Sequence, residues 1–388
     1  MPENIVITGL GSISACGNNT LETLESFSSG KRNAGPVSLF KTELKCPVFE
    51  VKKSFNKEAP VMRTLNLAFQ ALEEAIMDAG LNDLSGFRVG ICLGTTVASQ
   101  LNDLDFYKTY REKGSAPFQA AERFLKSNLA ESVARYLKVR SCFCSTIVNA
   151  CSSGTDAIGV GLSWLKNDYC DIVIAGGADE LNRVPLDGFN SLGIVSDKLC
   201  TPFDRDRRGL NLGEGAGVVI LEQERVVCKR GKKAGLFLKG YGLATDAYHL
   251  TAPRPDGSGL EKALKKALGD AGVATSDLAF VNAHGTATRD NDKAEGNVLK
   301  KVFGSNLKFL STKGFTGHTL GAAGGLEAVF SALALREGWI PKSIGFVNQD
   351  DEIGIAPVVE KTELKGNYAV STSLAFGGNN SVLVISRN

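Results

Sequence analysis

Two stretches of the chain carry apolar residues at helical spacing and stop at the same tripeptide. Residues 65–81 read LNLAFQALEEAIMDAGL, and residues 260–273 read LEKALKKALGDAGV. Apolar side chains three and four positions apart share one helix face and predict a core-facing helix. Each run stops at Asp-Ala-Gly, where glycine supplies a left-handed cap. A polar turn follows each, then a short apolar strand, residues 89–93 or 279–283, with Gly-Thr just beyond. The copies lie 192 residues apart at the tripeptide and 191 apart at Gly-Thr. A near-constant offset across two elements predicts two similar halves.

The ends of the halves match as well. Val6-Ile-Thr-Gly-Leu-Gly opens the first, and Leu236-Phe-Leu-Lys-Gly-Tyr-Gly opens the second. Gly213-Glu-Gly-Ala-Gly-Val-Val-Ile-Leu closes the first, and Phe376-Gly-Gly-Asn-Asn-Ser-Val-Leu-Val-Ile closes the second. Strands alternate with helical runs at 155–166 and 326–336, which predicts parallel sheets covered by helices. Two such halves, residues 1–230 and 231–388, stack as an α/β/α/β/α sandwich. The first half carries the main insertion, residues 97–140, polar and irregular at first and then helical. Such insertions build substrate-facing loops or partner contacts.

Composition narrows the function. The chain has 388 residues, 43% hydrophobic and 22% charged, as in ordinary globular domains. Its 44 basic and 42 acidic residues give a net charge of +2, so no global basic excess argues for nucleic acid or a membrane surface. The N-terminus has no basic, apolar leader, and the uncharged run 366–386 is broken by Gly377-Gly378-Asn379-Asn380. Neither a signal peptide nor a membrane span is expected. Nine cysteines show no CxxC pair and no metal-ligand spacing. Most read as small buried hydrophobes in a reducing cytoplasm. Glycine is in excess, 43 residues, while histidine is scarce, three residues.

One thiol stands apart. In STIVNACSSGTDAIGVG (145–161) a β-rich run leads into a helix that begins near Cys151. A thiol there meets unpaired N–H groups and the positive helix end, which favour a thiolate nucleophile. The alternative is one more buried cysteine. Two of the three histidines lie among glycines after short strands, His284 in VNAHGTAT and His318 in STKGFTGHTLGAAGG. Glycines expose an imidazole, and neutral imidazoles can donate to a developing oxyanion or relay protons. His249, without that frame, reads as a bystander. Lys313, in a mostly uncharged stretch, would need a carboxylate if buried. Glu295 and Asp292 are the candidates. Phe376-Gly-Gly-Asn is a turn whose backbone N–H can aim at a ligand.

The motifs VNACSSG, FDRDRRGLNLGEGAG, TAPRPDG, VNAHGTAT, STKGFTGHTLGAAGG and LAFGGNN occur in that order. Together they resemble the β-ketoacyl-acyl-carrier-protein synthases of the I/II type, in the thiolase-like superfamily, from Ile5 to Ile385. The resemblance implies the five-layer thiolase-like fold and a two-step reaction. An acyl chain passes from acyl carrier protein to Cys151. Malonyl-carrier then loses carbon dioxide, and its enolate attacks the thioester in a Claisen condensation. His284 and His318 match the pair that holds the malonyl thioester oxygen. Lys313 matches the lysine that tunes them, held by the carboxylate matched by Glu295. Phe376 matches a gatekeeping residue whose N–H, with that of Cys151, binds the acyl carbonyl. Thr286 and Thr288 match residues that bond the phosphopantetheine arm, and Leu210 stands near the acyl pocket. No metal or other cofactor is implied. The partners implied are acyl carrier protein and a second subunit, a homodimer by default or a heterodimer with a related chain.

Leu210 replaces a frequent aromatic residue, Arg289 a frequent proline, and Arg254 a small residue, while residues 97–114 look short. These departures leave open a fatty-acid pathway or a specialised polyketide or polyene pathway. A thiolase would add a second catalytic cysteine, yet none follows Cys228. A ketoacyl synthase III would show asparagine at His318. A non-catalytic chain-length-factor subunit would lack the nucleophile.

Overall fold

The computed structural model describes residues 4–55, 62–96, 104–118, 128–139 and 142–388. Ten strands dominate it: β1 (Ile5–Ser14), β2 (Val89–Gly94), β3 (Cys142–Ile147), β4 (Ile172–Asp179), β5 (Gly215–Gln223), β6 (Leu236–Thr245), β7 (Leu278–Asn282), β8 (Phe309–Leu310), and, after the small separate antiparallel pair β9 (Trp339–Ile340) and β10 (Thr362–Glu363), β11 (Tyr368–Ala375) and β12 (Asn379–Arg387). Their hydrogen-bonded order is β3-β2-β4-β5-β1-β6-β12-β11-β7-β8. Read inward from each edge, the two sets of five have the same order. Their strand directions also match. They meet where β1 and β6 pair, Ile5 with Leu238 and Val6 with Phe237.

The sheets are mixed rather than parallel throughout, which corrects the sequence expectation. β5 and β12 run against both neighbours. The tight turn at Gly377 and Gly378, φ +85° and +81°, leaves β11 and β12 no arrangement but antiparallel.

Five layers follow from which faces are apolar. Helices Ser153–Lys166 and Ala323–Glu337 fill the centre and pack on strands of both halves, with Ile158, Leu162, Leu326 and Val329 among the contacts. Helix Arg63–Ala79 covers the outer face of the first half, and Ser258–Ala271 that of the second. Successive residues of one strand serve different layers. Ile172 and Ile174 face outward, while Val173 and Ala175 face the centre. Strands buried on both faces lose the usual apolar–polar alternation.

The outer helices end as predicted, at Gly80 and Gly272, with φ +63° and +65°. They also sit unusually close to their sheets. A Cβ on Gly9 or Gly11 would lie 2.1 or 1.9 Å from the carbonyl oxygens of Ala75 and Ala71. In the second half, Gly240 and Gly242 meet Ala267 and Ala263 oxygens at 2.3 and 2.0 Å. The same glycine pair faces the same alanine pair in both halves.

The polar start of the insertion, residues 97–103, lies outside the described residues, as do 119–127 and 140. Within the insertion the chain forms helices Leu104–Lys113 and Leu129–Tyr136. Among the described residues no helix is long and apolar enough to cross a membrane.

Candidate active site

Both central helices begin in the same way. A short 3-10 turn, Ala150–Ser152 or Leu320–Ala322, precedes each. Each turn starts on a left-handed residue, Ala150 at φ +49° and Leu320 at φ +55°. Such backbone costs a non-glycine residue on the order of 1 kcal/mol and persists only where neighbours enforce it. Around Ala150 the neighbours do so. Asn149 N–H donates to Ser153 Oγ at 2.8 Å, and Ser152 Oγ donates to Asp156 at 2.8 Å. The sharp turn places Cys151 at the helix start, in the wall of a cavity of about 320 Å³.

His284, His318, Thr286, Leu210 and Phe376 line the same cavity. The two imidazole rings lie edge to face, with centroids 5.2 Å apart. Phe189, on helix Arg183–Ser191, stacks on Phe376 at 5.3 Å and touches the edge of His318. Sequence reasoning passed over Phe189, although an aromatic residue on a short polar helix was a usable signal.

Hydrogen bonds fix both imidazole tautomers. Leu320 N–H donates to His318 Nδ1 at 3.2 Å. Lys313 Nζ lies 3.2 Å from His284 Nδ1, and an ammonium can only donate. Each ring therefore keeps its proton on Nε2. Burial first, and the Lys313 charge second, hold both histidines well below their ordinary value. Two neutral N–H donors result.

The cysteine departs from expectation. Burial pushes its thiol up to about 12, against the pull of Lys313 and the Phe376 N–H. The resting group is a thiol rather than the thiolate that its helix-start position alone suggests. Desolvation outweighs the nearby positive groups because Cys151 is only 4% exposed.

Lys313 is buried, and its carboxylate is Glu327, not Glu295. Both oxygens of Glu295 are already committed. They accept the N–H groups of His284 and Gly285 at 2.8 Å each, and the Thr372 hydroxyl at 2.6 Å. Glu295 thus shapes the His284 loop. Asp292 is committed likewise, to the N–H groups of Phe203 and Ala287. Glu327 was legible in one respect. It is a lone charge in the apolar run that becomes the buried central helix, and a buried carboxylate there calls for a cation. Burial pushes it up to about 7, opposed by Lys313.

The remaining candidates fall around the rim. The Thr286 and Thr288 hydroxyls lie 2.8 Å apart, and both residues line the cavity. Arg289 lines it too, whereas Arg254 turns to Asp256 at 3.0 Å. His249 accepts the N–H groups of Thr251 and Ala252, so it shapes the rim turn. Most of the cysteines are buried, as expected, while Cys144 and Cys228 are exposed and Cys142 is half-buried. Strand β3 is a sheet edge, so its side chains have less cover.

The chain is similar to known proteins along its whole length. Residues 2–226 match the model of the β-ketoacyl synthase N-terminal domain, and residues 237–347 match that of its C-terminal domain. The 3-oxoacyl-acyl-carrier-protein synthase 2 of Staphylococcus aureus (strain N315) is 32% identical over 409 residues, covering 99% of this chain and 98% of that protein. Among solved structures, a chain of the ishigamide ketosynthase/chain length factor superposes with TM-score 0.94 at 30% identity, covering all of both chains. A type II polyketide synthase complex of a ketosynthase, bound to the hexaketide, with its acyl-carrier protein gives TM-score 0.91 at 26% identity, covering 100% of this chain and 99% of that one. The chain belongs to the β-ketoacyl synthase family.

Proposed function

We propose that the chain is the condensing enzyme of a carrier-bound pathway, with Cys151 as nucleophile. The Cys151 sulfur adds to the thioester carbonyl of an acyl-carrier protein. The N–H groups of Cys151 and Phe376 receive the oxyanion. The carrier thiol then leaves with the cysteine proton, and the acyl group stays on sulfur. Malonyl-carrier enters next. Its carboxylate C–C bond breaks, carbon dioxide departs, and the electron pair moves onto the thioester as an enolate. His284 and His318 hold that oxygen through Nε2–H. The enolate carbon attacks the Cys151 thioester, and sulfur leaves as a thiolate that takes a proton from solvent. The chain has grown by two carbons.

The observation that carries this reading is the pair of donors on Nδ1, which leaves two neutral N–H groups facing one cavity. Such donors act where charge develops, in the transition state more than in the ground state. Lys313 with Glu327 maintains the His284 tautomer. Thr286 and Thr288 hold the pantetheine arm, and Leu210 borders the acyl chain. Every step uses side chains and backbone of this chain.

A second reading shares the chemistry but changes the assembly: the catalytic subunit of a ketosynthase/chain-length-factor heterodimer. The likeness to a chain of the ishigamide ketosynthase/chain length factor favours it. A homodimer is the alternative assembly. Nine free thiols suit a reducing cytoplasm.

The test separates the two half-reactions. His318→Ala is expected to keep acyl loading while malonyl decarboxylation falls about 10²- to 10³-fold, the usual cost of one oxyanion donor. Product mass and released carbon dioxide report the two steps. Equal loss of both steps overturns the assigned roles.

A further inference from the structure

We infer that Arg32 is a positioning residue for Lys313, clamping the turn on which that ammonium stands; the inference rests on the reading of Lys313 and His284 above. Arg32 lies two residues after Gly30, the left-handed cap of helix Thr20–Ser29. From there its guanidinium reaches across the chain. Nε donates to the Gly314 carbonyl at 2.8 Å, and Nη2 donates to the Cys200 carbonyl at 2.6 Å. The same Nη2 lies 3.7 Å from Cys200 Sγ. That thiol in turn donates to the Lys313 carbonyl at 3.5 Å. Both peptide carbonyls of the Lys313–Gly314 pair are thus held, one by Arg32 and the other by the thiol beside it.

The turn needs such support. Lys313–Thr316 is a single helical turn, far too short to hold itself. It is also packed without slack: a Cβ on Gly314 would lie 2.4 Å from the Ile344 carbonyl oxygen. The Lys313 backbone decides whether Nζ meets Glu327 and His284 Nδ1 together, and that double contact sets the His284 tautomer. Among the described residues Arg32 forms no ion pair with a carboxylate, so its fork is spent on carbonyls. A planar fork can serve two carbonyls at fixed angles, and a lysine cannot.

Arg32→Gln, Arg32→Lys and Cys200→Ala test this beside the wild type, each assayed for acyl loading of Cys151 and for malonyl-carrier decarboxylation. The expected result is a split. Loading stays within about twofold, while decarboxylation falls on the order of tenfold to a hundredfold in both Arg32 variants, as misplacement by about an ångström costs. Methylguanidine restores part of the decarboxylation in Arg32→Gln. Cys200→Ala shows the same split at smaller size and keeps the test alive if the Arg32 variants fail to fold. Equal loss of both steps, or no loss of decarboxylation, overturns the inference. A wild type that loads acyl groups but never decarboxylates malonyl-carrier instead overturns the reading of the site, and this inference with it.

Discussion

The two halves share a frame and divide the chemistry. Each has the same strand order, the same helix seated on a glycine pair, and the same 3-10 turn opening its central helix. In the first half that turn carries Cys151. At the corresponding position in the second half, one after the left-handed residue, stands Gly321. A side chain there has no room: a Cβ would lie 2.7 Å from Asp179 Oδ2 and 2.7 Å from the Thr95 carbonyl carbon. The Gly321 N–H is also spent, on Asp179 at 2.6 Å. The second half supplies His284, Lys313, His318 and Glu327 instead. Repetition therefore accounts for the scaffold. The chemistry comes from single side chains placed where the copies differ.

The largest effect expected from testing this equivalence is on stability. Gly11→Ala and Gly242→Ala each push a methyl group into a helix carbonyl, at 1.9 and 2.0 Å. Each is expected to lose about 2–3 kcal/mol of unfolding free energy, read by denaturant titration. Losses that differ between the halves by more than about 1 kcal/mol would show that the packing is not equivalent.

A smaller effect marks a difference. The first half buries Glu180 and Glu214 beside one arginine, Arg63, which pairs with Glu214. Burial pushes Glu180 from its ordinary 4.5 up to about 7. Between those values the folded chain holds a proton that the unfolded chain has released. Stability is therefore present below the lower value and falls as pH rises through the upper one. Asp179 and Glu327 shift in the same direction, so Glu180 carries part of the slope. His284 and His318, held well below their ordinary value, oppose that slope, so the difference is what reports Glu180: from pH 5 to pH 7.5 the melting temperature of the wild type is expected to fall more, or rise less, than that of Glu180→Gln. Identical slopes would contradict this account of Glu180.

Much of the frame was legible because its signals are local. Apolar spacing and Asp-Ala-Gly marked both outer helices and their caps, and Gly-Thr marked the strand ends. The glycine-framed histidines and the cysteine at a helix start came together in one cavity. What stayed hidden depends on distant contacts. Strand direction followed from a turn at Gly377 and from packing rather than from the β-rich runs. The partner of Lys313 was sought near His284, where Glu295 proved to be holding backbone N–H groups. Glu327 reaches Lys313 from the adjoining central helix. The thiol's state depends on burial, which a helix-start motif does not report.

The central claim is that Cys151 alone among nine thiols accepts the acyl group. Intact mass followed by peptide mapping, after mixing with acyl-loaded carrier protein, tests it most directly. The account predicts one acyl addition on Cys151, retained in His318→Ala and discharged by malonyl-carrier only in the wild type. An acyl group on any other cysteine, or an unmodified Cys151 in a protein that still extends chains, would contradict it.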